Sequence, residues 1–209
     1  MQILLFLSFC RFYLYSYTEI IFYLNKKVFM NNSQESVDHS KSNDYRTIEQ
    51  TMEKLSGGTR RLAAQLTTSA SFDSLWNVLT DYDRLNLYIP NLLSSQKIYQ
   101  KENNIHLRQV GAQDFLGMKF SAEVTIDLFE EKEIGVLRFK LIKGDFRKFE
   151  GSWKIQKIKN NSKNSLIYDL TVQGFQWMPI GMIEKRLKKD LSDNLMAVDK
   201  QAKLISEYQ

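Results

Sequence analysis

The sequence predicts an α+β domain: a curved antiparallel sheet of about seven strands wrapped on one long C-terminal helix, with two short helices after the first strand. Three features lead there. Two period-two runs, Val136 to Leu141 and Lys148 to Ile155, are joined by a turn at Gly144 and Asp145. A third run, Phe120 to Leu128, alternates apolar and polar residues without exception. Finally, Ile183, Leu187, Leu191, Leu195, Val198 and Ala202 recur at spacings of three and four, the stripe of an amphipathic helix. In the two joined runs Leu137, Phe139, Leu141, Phe149, Gly151, Trp153 and Ile155 share one face, and Arg138, Lys140, Lys148, Glu150, Ser152 and Lys154 the other. One face of the sheet is therefore wet and the other enclosed.

The remaining elements follow in order. Leu62, Ala64 and Leu66 alternate with Arg61, Ala63 and Gln65, a first strand from Arg60 to Thr68. Ser71 is a helix cap, Asp73 sits well in the first turn, and Phe72, Leu75, Trp76 and Leu79 fall at helical spacing up to Asp81. A second short helix from Asp83 must stop before Pro90. Ser94 to Gln100 and Ile105 to Val110 form a hairpin about Glu102, Asn103 and Asn104, and Leu166 to Val172 is the final strand. The terminal helix begins after Pro179 and Gly181, with Glu184, Lys185, Lys188, Asp193 and Lys200 on its polar side. Its economical resting place is the apolar face of the sheet.

Three segments divide the chain. Residues 1–30 are apolar and aromatic, broken by Arg11 and Glu19 and closed by Lys26 and Lys27. They lack the positive start and A-x-A-like ending of a secretory signal. Two internal charges also oppose a membrane anchor, which needs about 20 apolar residues. Such a composition is what AT-rich non-coding DNA yields when read in frame, so Met30 is the expected start of translation, with an anchor as the alternative. Residues 31–57 are polar and expected to be a disordered arm, although Ile48, Met52 and Leu55 have helical spacing. Residues 58–209 form the folded domain.

Composition excludes several chemistries. Cys10 is the only cysteine, which rules out an internal disulfide or a thiolate metal cluster and suits a reducing, cytoplasmic setting. His39 and His106 have no partner at ligand spacing, so no metal site is expected. The formal charge of +5 is mild and its lysines and arginines are spread along the chain, which does not suit DNA.

The run Trp76 to Asn91, WNVLTDYDRLNLYIPN, resembles the helix-loop-helix signature of the polyketide cyclase/dehydrase and coenzyme Q-binding START-like (SRPBCC) family. The run Gly144 to Trp153, GDFRKFEGSW, resembles that family's aromatic-Gly-x-Trp strand, and Pro179 to Leu191 resembles its lead into the last helix. The resemblance covers about Gly58 to Ala202 and implies the helix-grip fold. It also implies a cavity between sheet and terminal helix for a hydrophobic molecule, a polyprenyl quinone in the quinone-binding branch, and a role in lipid binding or transport.

Given that cavity, its expected wall is Val124, Ile126, Phe139, Phe149, Trp153 and Tyr168 from strands and Ile183 and Leu187 from the helix. The competing reading is that they fill an ordinary core, as such residues usually do. Ala122 and Gly151 are expected to leave room beside them, and Tyr168 is the polar candidate, since a buried phenol usually wants a partner. No catalytic residue is assigned, because the inward parity of the Phe120 strand holds no titratable group while Arg138, Lys140, Lys148 and Lys154 point outward. Binding without a cofactor is thus expected over turnover. An aromatase or cyclase is the enzymatic alternative, and a ribosome-binding module, as in a toxin-like bacterial branch, the interaction alternative. Phe115, Met118, Trp177 and Met178 are apolar loop residues that, with Lys185, Arg186, Lys188 and Lys189, would make a portal in peripheral contact with a membrane. Packing between loops is the plainer account of them.

Overall fold

The computed structural model describes residues 48–115, 118–159, 162–175 and 180–207, apart from the side chains of 113–115, 118–120, 180–183 and 185. Its strands are β1 (Ile48–Lys54), β2 (Arg60–Thr68), β3 (Leu92–Lys101), β4 (Asn104–Phe115), β5 (Met118–Glu131), β6 (Val136–Gly144), β7 (Lys148–Lys157) and β8 (Asn164–Gln173). Among the described residues they form one eight-stranded sheet in the order β1, β2, β8, β7, β6, β5, β4, β3. Every neighbouring pair is antiparallel. Successive hairpins thus run from β3 to β8, and β2 closes the order by pairing with β8. Helix α1 (Phe72–Thr80) and a 3-10 helix (Tyr82–Leu87) fill the link between β2 and β3, and α2 (Ile180–Glu207) follows β8. This is the fold class read from the sequence.

Three expectations change, the last of them at Gly151 below. The second short helix is a 3-10 helix rather than an α-helix, closed by the Tyr88 N–H to Leu85 carbonyl bond at 3.3 Å shortly before Pro90. More consequentially, Ile48–Lys54 is not part of a disordered arm but an edge strand paired residue by residue with β2. Ile48 and Met52 are four apart, an even number, so they share a strand face as readily as a helix face. Both pack on the core, while the Gln50 side chain donates to the Lys188 carbonyl at 2.8 Å and bonds the Ser192 hydroxyl. The strand is polar because its outer face is in water and its stability comes from backbone pairing and three inward contacts. Residues 1–30 lie outside the described residues.

The core divides into a lower and an upper part along the strands. Below, α1 presents Leu75, Trp76, Val78 and Leu79 to the sheet, its first turn capped by the Ser71 hydroxyl, which accepts from Ser74 N–H at 3.0 Å. The C-terminal half of α2 joins it through Leu191, Leu195, Val198 and Ala202. Polar pins fix that half: the fully buried Asp199 accepts from Thr68 Oγ1 and pairs with Lys203 Nζ at 3.1 Å, and Ser206 Oγ meets Ser74 Oγ at 2.8 Å. Tyr82 completes the floor, donating to Glu130 Oε1 at 2.6 Å.

Near the upper end a second clamp ties α2 to the sheet. Glu184 accepts from Arg60 Nε at 2.6 Å, and Lys54 Nζ lies 3.5 Å away, with the Arg60 and Glu184 side chains largely buried. The hydrogen bond from Arg60, with the charge of Lys54 behind it, holds the Glu184 carboxyl below its ordinary value. A carboxyl depressed on folding contributes stability that is fully present above its unfolded value, about 4.3, and disappears as pH falls through the folded value. The stability difference between the parent and Glu184→Gln, measured by urea unfolding, should therefore be constant at neutral pH and shrink below about pH 4.3.

Gly151 is fixed by its neighbours. A Cβ there would sit 2.0 Å from the Asp169 carbonyl oxygen and 2.8 Å from Phe139 Cζ. The room expected beside this glycine is therefore occupied by the Phe139 ring and by backbone. Gly151→Ala should cost about 1–3 kcal/mol in urea unfolding. Most of that loss should persist in a Phe139→Leu background, because the closer clash is with a carbonyl oxygen.

Candidate functional site

Strand register sets which side chains face α2. Trp153 pairs with Tyr168, Gly151 with Leu170 and with Phe139, and Val172 with Phe149. Ile126 stands opposite Leu141, and Val124 is two residues before it on the same face. All six strand residues read as a wall, Val124, Ile126, Phe139, Phe149, Trp153 and Tyr168, thus share the inward face. Their rings form a continuous chain. Trp153 stacks on Tyr168 with centroids 4.0 Å apart and planes 10° from parallel, Tyr168 lies 6.1 Å from Phe139, and Phe139 lies 5.5 Å from Phe149. Phe146, in the turn between β6 and β7, continues the chain at 5.5 Å from Phe149 and reaches the upper rim.

Burial falls off along that chain. In the lower core Leu66, Leu75, Leu166 and Leu195 are sealed at 0% exposure, whereas Val124 and Tyr168 keep 7% and Phe139 6%. Phe149, Trp153, Leu141, Phe146 and Leu187 are only half-buried. Water therefore touches the upper part of an inward, aromatic face. Of the helix residues proposed for the wall, Leu187 packs against this face, and the Ile183 side chain lies outside the described residues.

The polar side of the site comes from α2 and escaped a reading based on strand parity. With about 3.6 residues per turn, Leu187, Leu191, Leu195 and Val198 define the stripe facing the sheet. Ser192 and Asp199 flank the stripe toward β1 and β2, which they bond. Arg186, Asp190 and Asn194 lie on the other flank, toward the half of the sheet that carries the aromatic chain. Arg186 Nε is 3.0 Å from Asp190 Oδ1 but off hydrogen-bond alignment, and both atoms are sealed from water. Burial raises the Tyr168 phenol well above the ordinary tyrosine value, and the charge of Asp190 raises it further. Tyr168 is thus a neutral hydroxyl at any physiological pH, with Asp190 near enough to act on it and Arg186 beside Asp190. The signal for the two helix residues was present in the sequence as charges one position before Leu187 and Leu191.

Two of the basic residues assigned to a portal are paired with carboxylates on the same helix. Besides the Arg186 pair, Lys189 Nζ bonds Asp193 one turn on, and Lys188 is exposed. The Lys185 side chain, those of Phe115 and Met118, and residues Trp177 and Met178 lie outside the described residues. On the outer face Arg61, Arg108, Arg138 and Lys148 pair with Asp169, Glu123, Glu131 and Glu150, so the cationic groups alternate with carboxylates.

A concave sheet gripped by one long terminal helix defines a START-like helix-grip domain. Solved structures with this fold include the STAR-related lipid transfer protein from Xanthomonas axonopodis, 12% identical, with a TM-score of 0.64 over 78% of this chain and 98% of that one. They also include the human StAR-related lipid transfer protein 5, 6% identical, TM-score 0.62, 90% and 97% covered. The Zhui aromatase/cyclase from Streptomyces sp. R1128, 15% identical, matches with a TM-score of 0.59 over 69% and 94% of the two chains. At such identities the likeness shows the fold alone. No curated protein sequence matches the chain. The family profile described as "Polyketide cyclase / dehydrase and lipid transport" matches residues 68–199, more than half of the chain, and the chain belongs to that family. Among the described residues no helix is long and apolar enough to cross a membrane.

The ordering of causes at Tyr168 is testable. Ultraviolet difference titration against Tyr168→Phe should give a phenol well above the ordinary value of about 10. Asp190→Asn should lower it, yet leave it above that value, since burial is the larger cause.

Proposed function

We propose that this protein binds and carries a hydrophobic small molecule, a prenylated quinone or another lipid, between the upper half of the sheet and α2. One observation carries the reading: the ring chain from Trp153 to Phe146 faces inward yet stays partly open to water. Apolar surface left wet inside a fold is stabilised by an apolar occupant at about 25 cal/mol per Å² covered. A largely apolar pocket with a few polar groups is the usual form of a small-molecule site. Val124, Ile126, Leu187 and the side chain of Ile183 would complete the wall, and Tyr168 with Arg186 and Asp190 would meet the polar end of the ligand. Exchange with a bilayer would use a portal at the upper loops, with Phe115, Met118, Trp177 and Met178 touching lipid and the basic residues of α2 beside them.

The test is mass spectrometry of organic extracts from the full chain purified from its native host under mild conditions. A near-stoichiometric quinone or other lipid is expected, reduced at least severalfold in a Phe139→Ser variant that remains folded. A folded but ligand-free protein would contradict the reading.

The phenol, carboxylate and guanidinium grouped at Tyr168, Asp190 and Arg186 favour a second reading, a cyclase-type enzyme in which Tyr168 donates a proton toward a substrate carbonyl. Turnover of a model polyketide that disappears in Tyr168→Phe would decide for it. A bound lipid recovered unchanged would decide against it.

A further inference from the structure

Residues 85–95, LNLYIPNLLSS, contain no charged side chain, and two of their leucines are strongly exposed, Leu87 at 73% and Leu93 at 62%. The segment is held rigidly. The Tyr88 hydroxyl donates to the Val78 carbonyl at 2.6 Å, and Asn91, in the left-handed region at φ 62°, offers its carbonyl to Ala112 N–H at 2.9 Å. The edge of β3 is itself covered, since Asp83 Oδ1 accepts from Lys97 N–H at 2.7 Å. That bond runs the 3-10 helix alongside the strand, which brings Leu87 and Leu93 to the same end of the sheet. Because Leu92 pairs with Gly111, and Ala122 with Gly111, this is the end where the aromatic chain reaches the rim at Phe146. Leu93 is the residue at which the ladder shifts register, so it is turned out of the pleat. Pro90, also exposed, stands between the two leucines in sequence.

We propose that this charge-free leucine tip is a bilayer-docking surface, which inserts Leu87 and Leu93 shallowly into neutral lipid beside the mouth of the site. The proposal rests on the carrier reading. A convex tip of two leucines is too small for a stable protein interface, which needs on the order of 1,000 Å². It does suit a contact that must be made and released repeatedly. Of the two cations that flank the segment in sequence, Arg84 pairs with Asp81 at 2.8 Å, whereas Lys97 Nζ donates to the neutral Gln100 amide at 2.7 Å and keeps its charge, so a single flanking cation is left without a carboxylate partner among the described residues. Docking here is driven by apolar burial and depends little on anionic lipid or salt.

The full chain, Leu87→Ser/Leu93→Ser and Leu93→Trp would be floated with phosphatidylcholine vesicles at low and high salt, and the lipid content of each protein measured alongside. The double variant should partition at least tenfold less, because each buried leucine is worth roughly tenfold or more. Its melting and its bound ligand should be unchanged, since both positions are exposed and off the inward face. The parent's partitioning should change less than about twofold with salt, and the Leu93→Trp probe should shift its emission to the blue on vesicles. Equal partitioning of parent and double variant, or a probe that does not shift, would overturn the proposal. So would binding confined to anionic vesicles and abolished by salt. Loss of docking with ligand retained supports the tip as a docking surface. A docking tip on a protein with no bound lipid would leave docking established and remove the carrier reading instead.

Discussion

One helix cannot cover this sheet. Eight strands at about 4.8 Å spacing make a face roughly 34 Å across before curvature, whereas a helix with its side chains is about 10 Å wide. Among the described residues, helix α1 and the 3-10 helix cover the lower part, α2 lies over β2 and β8, and the upper inward face of β4 to β7 is left to its own side chains. Those side chains are the large rings and branched residues from Val124 to Tyr168. Several of them, Phe149, Trp153 and Leu141 included, stay half-buried. The proposed site is thus a consequence of a mismatch in width between the two layers of the fold.

The mismatch persists because α2 is held off-centre. Asp199 and Ser206 pin its C-terminal half to β2 and α1, Gln50 bonds its middle, and Glu184 binds Arg60 near its start. All four contacts draw the helix toward β1, β2 and α1. None draws it across the aromatic chain. The opposite flank, with Arg186 and Asp190, is left facing the open half, and so an otherwise apolar space acquires one polar wall. Gly151 serves the same arrangement from below, since only a residue without a side chain lets Phe139 lie over the β7 backbone.

Much of this was legible in the sequence. Strict alternation in Phe120 to Leu128 and in the Val136 to Ile155 pair identified strands and inward faces, because burial on one face forces period two. The spacing from Leu187 to Ala202 identified α2 for the corresponding reason at period 3.6. The eighth strand escaped because β1 packs only Ile48 and Met52 on the core, too short a pattern to separate period two from period four. The polar flank of α2, with Asp190 and Arg186, escaped as part of the wall because a flank is visible only once the direction of the helix across the sheet is known. The space beside Gly151 was misjudged because a missing side chain shows only that something comes close, not whether it is a ligand or a neighbouring ring. The exposure of Leu87 and Leu93 was not read from the sequence, because neither belongs to a periodic run that would assign it a face.

The central claim is that the upper inward face, and not the lower core, is where a hydrophobic molecule sits. Its most direct test is methyl and aromatic NMR of the full chain purified from its native host, recorded before and after removal of bound lipid by exchange into a mild detergent and back. Shifts concentrated at Val124, Ile126, Phe139, Phe149, Trp153, Tyr168 and Leu187, with Leu66, Leu75 and Leu195 unmoved, are the predicted result. Shifts confined to the outer face or spread evenly through the lower core would contradict it.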